Sequence, residues 1–189
     1  MTNEAKAAVA VEPRPRIDEA LNVLGGVQAA SGLHELGRHT RVVVSRLWAG
    51  AGGSALWRRV NLPPSALEWP PERLAPLLAH ELVHVRQGIT LFGSIDSERE
   101  AYIVQCQVEL ELLMRQRPVP RNEVRRREAD LRTLERSLES AKAWILARGP
   151  YYGQFPDTRP RWWQVRRWWP QVRYALGMAW RNRGGGGAG

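Results

Sequence analysis

Apolar residues recur along the chain with different periods, and each period predicts a different element. Ile17, Leu21 and Leu24 repeat at helical spacing within 17–31, before the Gly25-Gly26 pair interrupts them. Residues 1–16, closing in "VEPRPR", lack this repeat and are expected to form a flexible leader. "TRVVVSRLW" (40–48) is short and β-branched and predicts a strand, and "AGAGGS" (49–54) predicts a turn. "ALWRRVNLP" (55–63) alternates roughly between apolar and polar residues, as a half-exposed strand does. The Pro70-Pro71 pair then opens a helix that contains two histidines. Residues 96–117 contain no breaker and predict a long helix, with Asp96 or Ser97 as its N-cap, and "PVP" (118–120) stops it. Over 121–148, Val124, Leu131, Leu134, Leu138, Ala141 and Ile145 repeat at threes and fours, which predicts a third helix ended by Gly149-Pro150. Two short strands among several helices give an α+β fold class, with no internal repeat.

Composition narrows the class. The chain has 189 residues and 43% apolar content, enough for one globular domain plus tails. Cys106 is its one cysteine, which excludes an internal disulfide framework and a cysteine zinc cluster; its expected role is a small buried hydrophobe on a helix. The first thirty residues lack the basic start and apolar run of a secretory signal, and no stretch is apolar for ~18 residues, so a cytoplasmic location is expected. Net charge is +9 but uneven. Residues 1–156 carry 21 Lys+Arg against 18 Asp+Glu, and 157–189 carry seven arginines against one aspartate, so the basic character belongs mainly to the tail.

The chemistry gathers in "LLAHELVHVRQG" (77–88). On a helix, positions four apart point only about 40° apart and lie ~6 Å apart along the axis, so His80 and His84 project side by side. Leu78, Leu82 and Val85 form a stripe on roughly the opposite side and can pack the helix down. Glu81 lies between the two directions. H-E-x-x-H thus offers two neutral nitrogen ligands and a base within one turn, and composition alone yields it in only about 0.6% of cases, so coincidence is a weak explanation. A plain core helix with two structural histidines is the alternative. "GLHELGRHT" also holds His-Glu, but His39 lies five positions after His34 and beyond a glycine, so those two rings diverge and are expected to be surface or local hydrogen-bonding groups.

A catalytic zinc takes three protein ligands and keeps one position open. Cys106 lies inside a helix among apolar neighbours; Glu98 and Glu100 in "SIDSEREAY" are better candidates, reached by a short loop containing Gly88 and Gly93. They are two residues apart, about 200° round a helix, so both cannot face one ion.

"LLAHELVHVRQ" followed by "SEREAY" resembles the gluzincin-type zinc metallopeptidases, which carry HExxH on one helix and a glutamate ligand on the next. The nearest likeness is to small single-domain bacterial members, the minigluzincin-like proteins with HELxHxxQ, over about residues 40–115. The resemblance implies a zincin-like domain over 17–156, with 121–148 as a helical extension, and a single Zn2+ ion held by His80, His84 and Glu98, with Glu100 as fallback. The family's aspartate after the ligand is replaced by Tyr102, so its usual support for a histidine ligand is missing. Gln87 either covers part of that role or is an ordinary solvated residue, the second being favoured. The resemblance further implies that the strand before the active helix, through Arg58, Arg59, Val60 and Asn61, is a sheet edge that pairs with an extended peptide or protein substrate. Glu81 would be the general base, and Tyr102, Tyr151 and Tyr152 are the candidate donors to the oxyanion.

"RPRWWQVRRWWPQVRYALGMAWRNR" (159–183) holds five of the nine tryptophans and seven arginines. It is expected to dock on the domain or a partner protein, or to bind an anionic membrane surface peripherally, with single-stranded nucleic acid less favoured; the Gly-rich end is expected to be disordered. Two functions follow: a zinc-dependent metallopeptidase, or a non-catalytic zinc-stabilised module whose basic tail binds a membrane surface or nucleic acid.

Overall fold

In the computed structural model, which describes residues 13–45, 53–56, 58–88, 93–149, 152–153 and 155–158, the chain is mostly helical with a small mixed sheet, an α+β arrangement. Most of the expected leader, Tyr151 and the whole of 159–183 lie outside the described residues.

The first helix, α1 (Pro13–Gly25), starts within the stretch expected to be flexible. Prolines 13 and 15 stand in its first turn, where their missing N–H leaves no helical bond unmade, and Arg14–Asp18 and Arg16–Glu19 ion pairs tie the next turn together. Helix α2 (Leu33–Arg38) follows a 3-10 turn at Gln28–Ala30. Its Gly37 is required by crowding: a Cβ there would run into the Leu21 side chain and lie 3.1 Å from Leu82.

Strand β1 (Arg41–Val44) is shorter than the 40–48 expected, whose last three residues are not described. The single strand expected at 55–63 is two: β2 (Ser54–Leu56) and β3 (Arg59–Leu62), antiparallel, with Leu56 opposite Arg59. The order is β1-β3-β2, with β1 parallel to β3. The expectation that Arg58, Arg59, Val60 and Asn61 form a substrate-pairing edge is therefore overturned. The main chain of β3 is bonded on both sides, and Val60 and Leu62 are fully buried while Arg59 and Asn61 face outward. Among the described strands the edge beside the histidine helix is β2.

Helix α3 (Pro71–Arg86) is the axle of the fold: α1, α2, α4, β2 and β3 all pack on it. Pro71 takes the first helical position, and Gly88 past its end adopts φ +64°, the left-handed turn that glycine allows most cheaply. Leu74, Leu78 and Leu82 are fully buried, each side chain contributing about 1.5–3 kcal/mol of transfer free energy. Helix α4 (Ile95–Arg115) divides two cores. Ala101 and Val108 join the core of α1–α3 and β3, while Ile95 and Cys106 pack with Leu134, Ala141 and Ile145 of the C-terminal helices. The helix expected at 121–148 is α5 (Arg121–Arg136) and α6 (Leu138–Leu146). Ser137 between them is extended, and its Oγ accepts from Ser140 N at 3.1 Å, so it caps α6 while the apolar repeat of the sequence, Leu131, Leu134, Leu138 and Ala141, runs on across the break. Among the described residues no helix is long and apolar enough to cross a membrane.

The N-cap of α4 is Ser94, two residues before Asp96 and three before Ser97. Ser97 N donates to Ser94 Oγ at 3.1 Å, and Ser94 N donates to Ser97 Oγ at 2.8 Å, a reciprocal box that is buried. Ser94→Ala should lower stability by about 1–2 kcal/mol in urea unfolding, with an unchanged m-value.

Candidate metal centre

Three side chains that the sequence singled out converge where α3 crosses the first turn of α4. His80 and His84 stand on consecutive turns of α3, and their Nε2 atoms are 3.2 Å apart. Glu98 brings its Oε2 to 3.5 Å from His80 Nε2 and its Oε1 to 3.4 Å from His84 Nε2. All three residues are buried, and one ligand atom from each lies close enough to the other two to hold a metal ion. Burial alone disfavours charge on Glu98, but the imidazoles of His84 and His80 outweigh it and hold the carboxyl far below its usual range. Burial likewise opposes charge on His84, yet the Glu98 carboxylate beside it raises its pKa to about 9.

Glu100 is not part of the triad. Two positions further round α4, it is exposed and takes hydrogen bonds from Arg86 at 3.1 Å and from Gln87 Nε2 at 2.7 Å. Cys106 is buried in the second core, and burial raises its thiol pKa to about 12, which keeps it protonated and unsuited to ligation at neutral pH. His34 packs on Gly25, and His39 pairs with Glu35 at the surface at 2.9 Å, so neither approaches the centre.

The favoured reading of Gln87 as a solvated residue is overturned, and its contacts agree with the alternative, support of a histidine ligand. Its Nε2 donates to Ser97 O at 3.2 Å and to Glu100, so its Oε1 is the atom facing His84 Nδ1 at 3.0 Å. An amide oxygen only accepts, so Nδ1 carries a proton and the neutral ring keeps its lone pair on Nε2, toward the other ligands. The signal was present as spacing: Gln87 is three residues after His84, on the same helical face. His80 is held differently. Its Nδ1 makes no hydrogen bond among the described residues, and the Tyr102 ring packs on it instead, centroids 4.5 Å apart and planes at 66°. Tyr102, where the resembled family has aspartate, thus supports the ring by shape. Its hydroxyl meets that of Tyr152 at 2.7 Å. Burial raises the pKa of Tyr102 to about 12 and that of Tyr152 further, so both stay protonated at neutral pH.

Glu81, beside His80, is buried but outside the triad. Burial raises its pKa, the imidazoles of His80 and His84 pull it down, and the Glu98 charge pushes it up again, with a net rise. Its Oε2 has no hydrogen-bond partner among the described residues. The strand end before β2 fits tightly over it: a Cβ on Gly53 would lie 2.5 Å from Glu81 Oε1, so a side chain there would displace the carboxylate.

Comparison with protein-family models, with curated proteins and with solved structures finds no match.

Two outcomes follow from the electrostatics. At pH 7 the His84 imidazole carries a proton that a bound ion must displace. Uptake of a divalent ion should therefore release about one proton, and apparent affinity should rise close to tenfold per pH unit up to about pH 9 and then level off. Titration calorimetry in buffers of different ionisation enthalpy measures this. Gln87→Leu removes the acceptor that fixes the His84 tautomer and should weaken metal binding by about 10–100-fold in chelator competition, with little change in helix content.

Proposed function

We propose that the protein is a zinc-dependent metallopeptidase with a zincin-like domain, similar to the small gluzincins that its sequence resembles. The observation that carries this reading is the meeting of two imidazoles and one carboxylate beside a second, separately held carboxylate, Glu81. A tetrahedral ion with bonds of ~2.0–2.1 Å needs ligand atoms about 3.3 Å apart, and the separations here are 3.2, 3.4 and 3.5 Å. Three protein ligands leave one position open, as catalytic zinc requires. The same donor set suits ferrous iron; Glu81 within H-E-x-x-H favours hydrolysis over oxygen chemistry.

His80 and His84 would bind through Nε2 and Glu98 through its carboxylate. Bound there, zinc supplies Lewis acidity that polarises a carbonyl group and shifts the pKa of water toward ~7. Glu81 takes a proton from water and later delivers it to the leaving amine; its raised pKa suits both directions of transfer. Tyr102 and Tyr152, protonated through neutral pH, are the candidate donors to the developing oxyanion. An extended peptide would add to β2, whose leading Gly53 abuts Glu81, in place of the β3 edge expected from sequence. We assign the chain to the cytoplasm, with residues 159–183 as the segment that meets a partner protein or an anionic membrane surface.

The test is Glu81→Gln, which keeps the shape and removes the base. It should retain one zinc per chain by elemental analysis and cut hydrolysis of an unstructured peptide by about 10²–10⁴-fold. Native protein that holds zinc but cleaves nothing across a broad peptide library would favour the zinc-stabilised binding module instead.

A further inference from the structure

Residues 155–157 lie across the start of α4, and what they touch there is the frame of the triad. The first N–H groups of a helix have no partner within it. In α4, Ser94 and Ser97 satisfy one another, but Ile95 N donates to Pro156 O and Asp96 N to Asp157 O, both at 2.9 Å. The main chain of 156–157 therefore completes the turn that carries Glu98. The Phe155 ring occupies the space a side chain on Gly93 would need: a Cβ there would lie 2.6 Å from its Cε2. Three residues earlier, Tyr152 bonds the hydroxyl of Tyr102, the ring that packs on His80. A surface ion pair from Lys142 on α6 to Asp157, 2.7 Å, pins the far end of the segment.

Among the described residues this segment adds no member to the triad, yet it reaches two of the three by independent routes, through the main chain to Glu98 and through an aromatic pair to His80. We propose that Tyr152 and residues 155–157 are a positioning clamp for the metal centre, setting the separation of Glu98 and His80 so that metal affinity depends on residues outside the ligand set. The proposal rests on the metal-site reading above and on nothing about the reaction. Its parts are complementary in kind. Backbone carbonyls fix the position of the α4 start along its axis, and the Tyr152–Tyr102 contact fixes the ring plane of His80, whose Nδ1 has among the described residues no hydrogen bond like the one that orients His84.

The experiment uses the full chain, with Co2+ as a spectroscopic probe and Zn2+ by chelator competition. Tyr152→Ala should weaken binding of both ions by about tenfold or more and alter the visible bands of the Co2+ form, which report ligand geometry. Lys142→Glu sets two like charges against each other at the clamp's surface anchor, far from the ligands and outside the core. It should weaken binding several-fold, with the deficit shrinking at high salt as the repulsion is screened. The control is Glu111→Ala on the far part of α4, which removes the acceptor for Gln28 N and Ala29 N and loosens the fold away from the clamp. It should lower stability and leave Co2+ affinity and bands unchanged. Wild-type affinity and bands in both clamp variants would overturn the proposal, as would losses in all three variants that simply track stability. Wild-type protein that takes up neither ion would overturn the metal-site reading itself, and the clamp with it.

Discussion

The arrangement depends on holding a carboxylate against two imidazoles in a place nearly closed to water. Glu98 alone at that depth would be neutral or would not stay buried, because an unpaired buried charge costs several kcal/mol. His80 and His84 alone would leave two Nε2 atoms facing each other at 3.2 Å, with at most one able to donate to the other if only one proton were present. Brought together, each group supplies what the others lack, and the raised His84 and lowered Glu98 pKa values express that compensation. The packing of α3 on α4 is what enforces it: Leu78 and Leu82 sink α3 into one core, Ile95 anchors the start of α4 in the other, and the triad forms at the seam between them.

The two histidines are kept in place by different physics. His84 is oriented by a directional bond to Gln87, which is itself fixed by Ser97 O and by Glu100, so the chain of contacts ends on a surface pair with Arg86. His80 is oriented by contact with an aromatic face backed by Tyr152 and Trp144. A hydrogen bond sets both tautomer and direction, whereas packing sets direction alone. The His80 proton is therefore left to the other ligands and to whatever occupies the centre. Glu81 belongs to neither chain of support, and that separation lets a carboxylate sit beside the triad without joining it.

Much of the centre was legible because its geometry is local. H-E-x-x-H places two rings on one face wherever a helix forms, and the apolar stripe at Leu78, Leu82 and Val85 ensured that this helix would be buried. The angular argument that Glu98 and Glu100 cannot share an ion also needed only helix geometry, and the choice of Glu98 came from resemblance. What failed was non-local. Whether β3 is an edge depends on where β2 and β1 lie, and the alternation of Arg59, Val60, Asn61 and Leu62 is the same for a central strand with one buried face. The break at Ser137 was hidden because the apolar repeat crosses it in phase. The α4 cap was placed too late because Ser94 follows Gly93 in what reads as loop, and its partner Ser97 looked like a cap in its own right. Gln87 was misjudged because its value depends on Glu100 and Ser97, which reach it from another helix.

The strongest physical case that this centre exists for function is its cost. A core selected only for stability would put leucine or alanine where α3 carries His80, Glu81 and His84, since two buried polar atoms there, His80 Nδ1 and Glu81 Oε2, have no protein partner among the described residues. Each such atom costs about 1–3 kcal/mol against a total stability of about 5–15 kcal/mol for an ordinary domain. The neighbouring structure makes room for that expense: Gly53 gives up a side chain so that the Glu81 carboxylate fits, and Gly93 gives one up so that Phe155 can close over the start of α4. The unpartnered buried atoms of His80 and Glu81, and the bare Gly53 against the Glu81 carboxylate, are features that selection for stability alone would not retain.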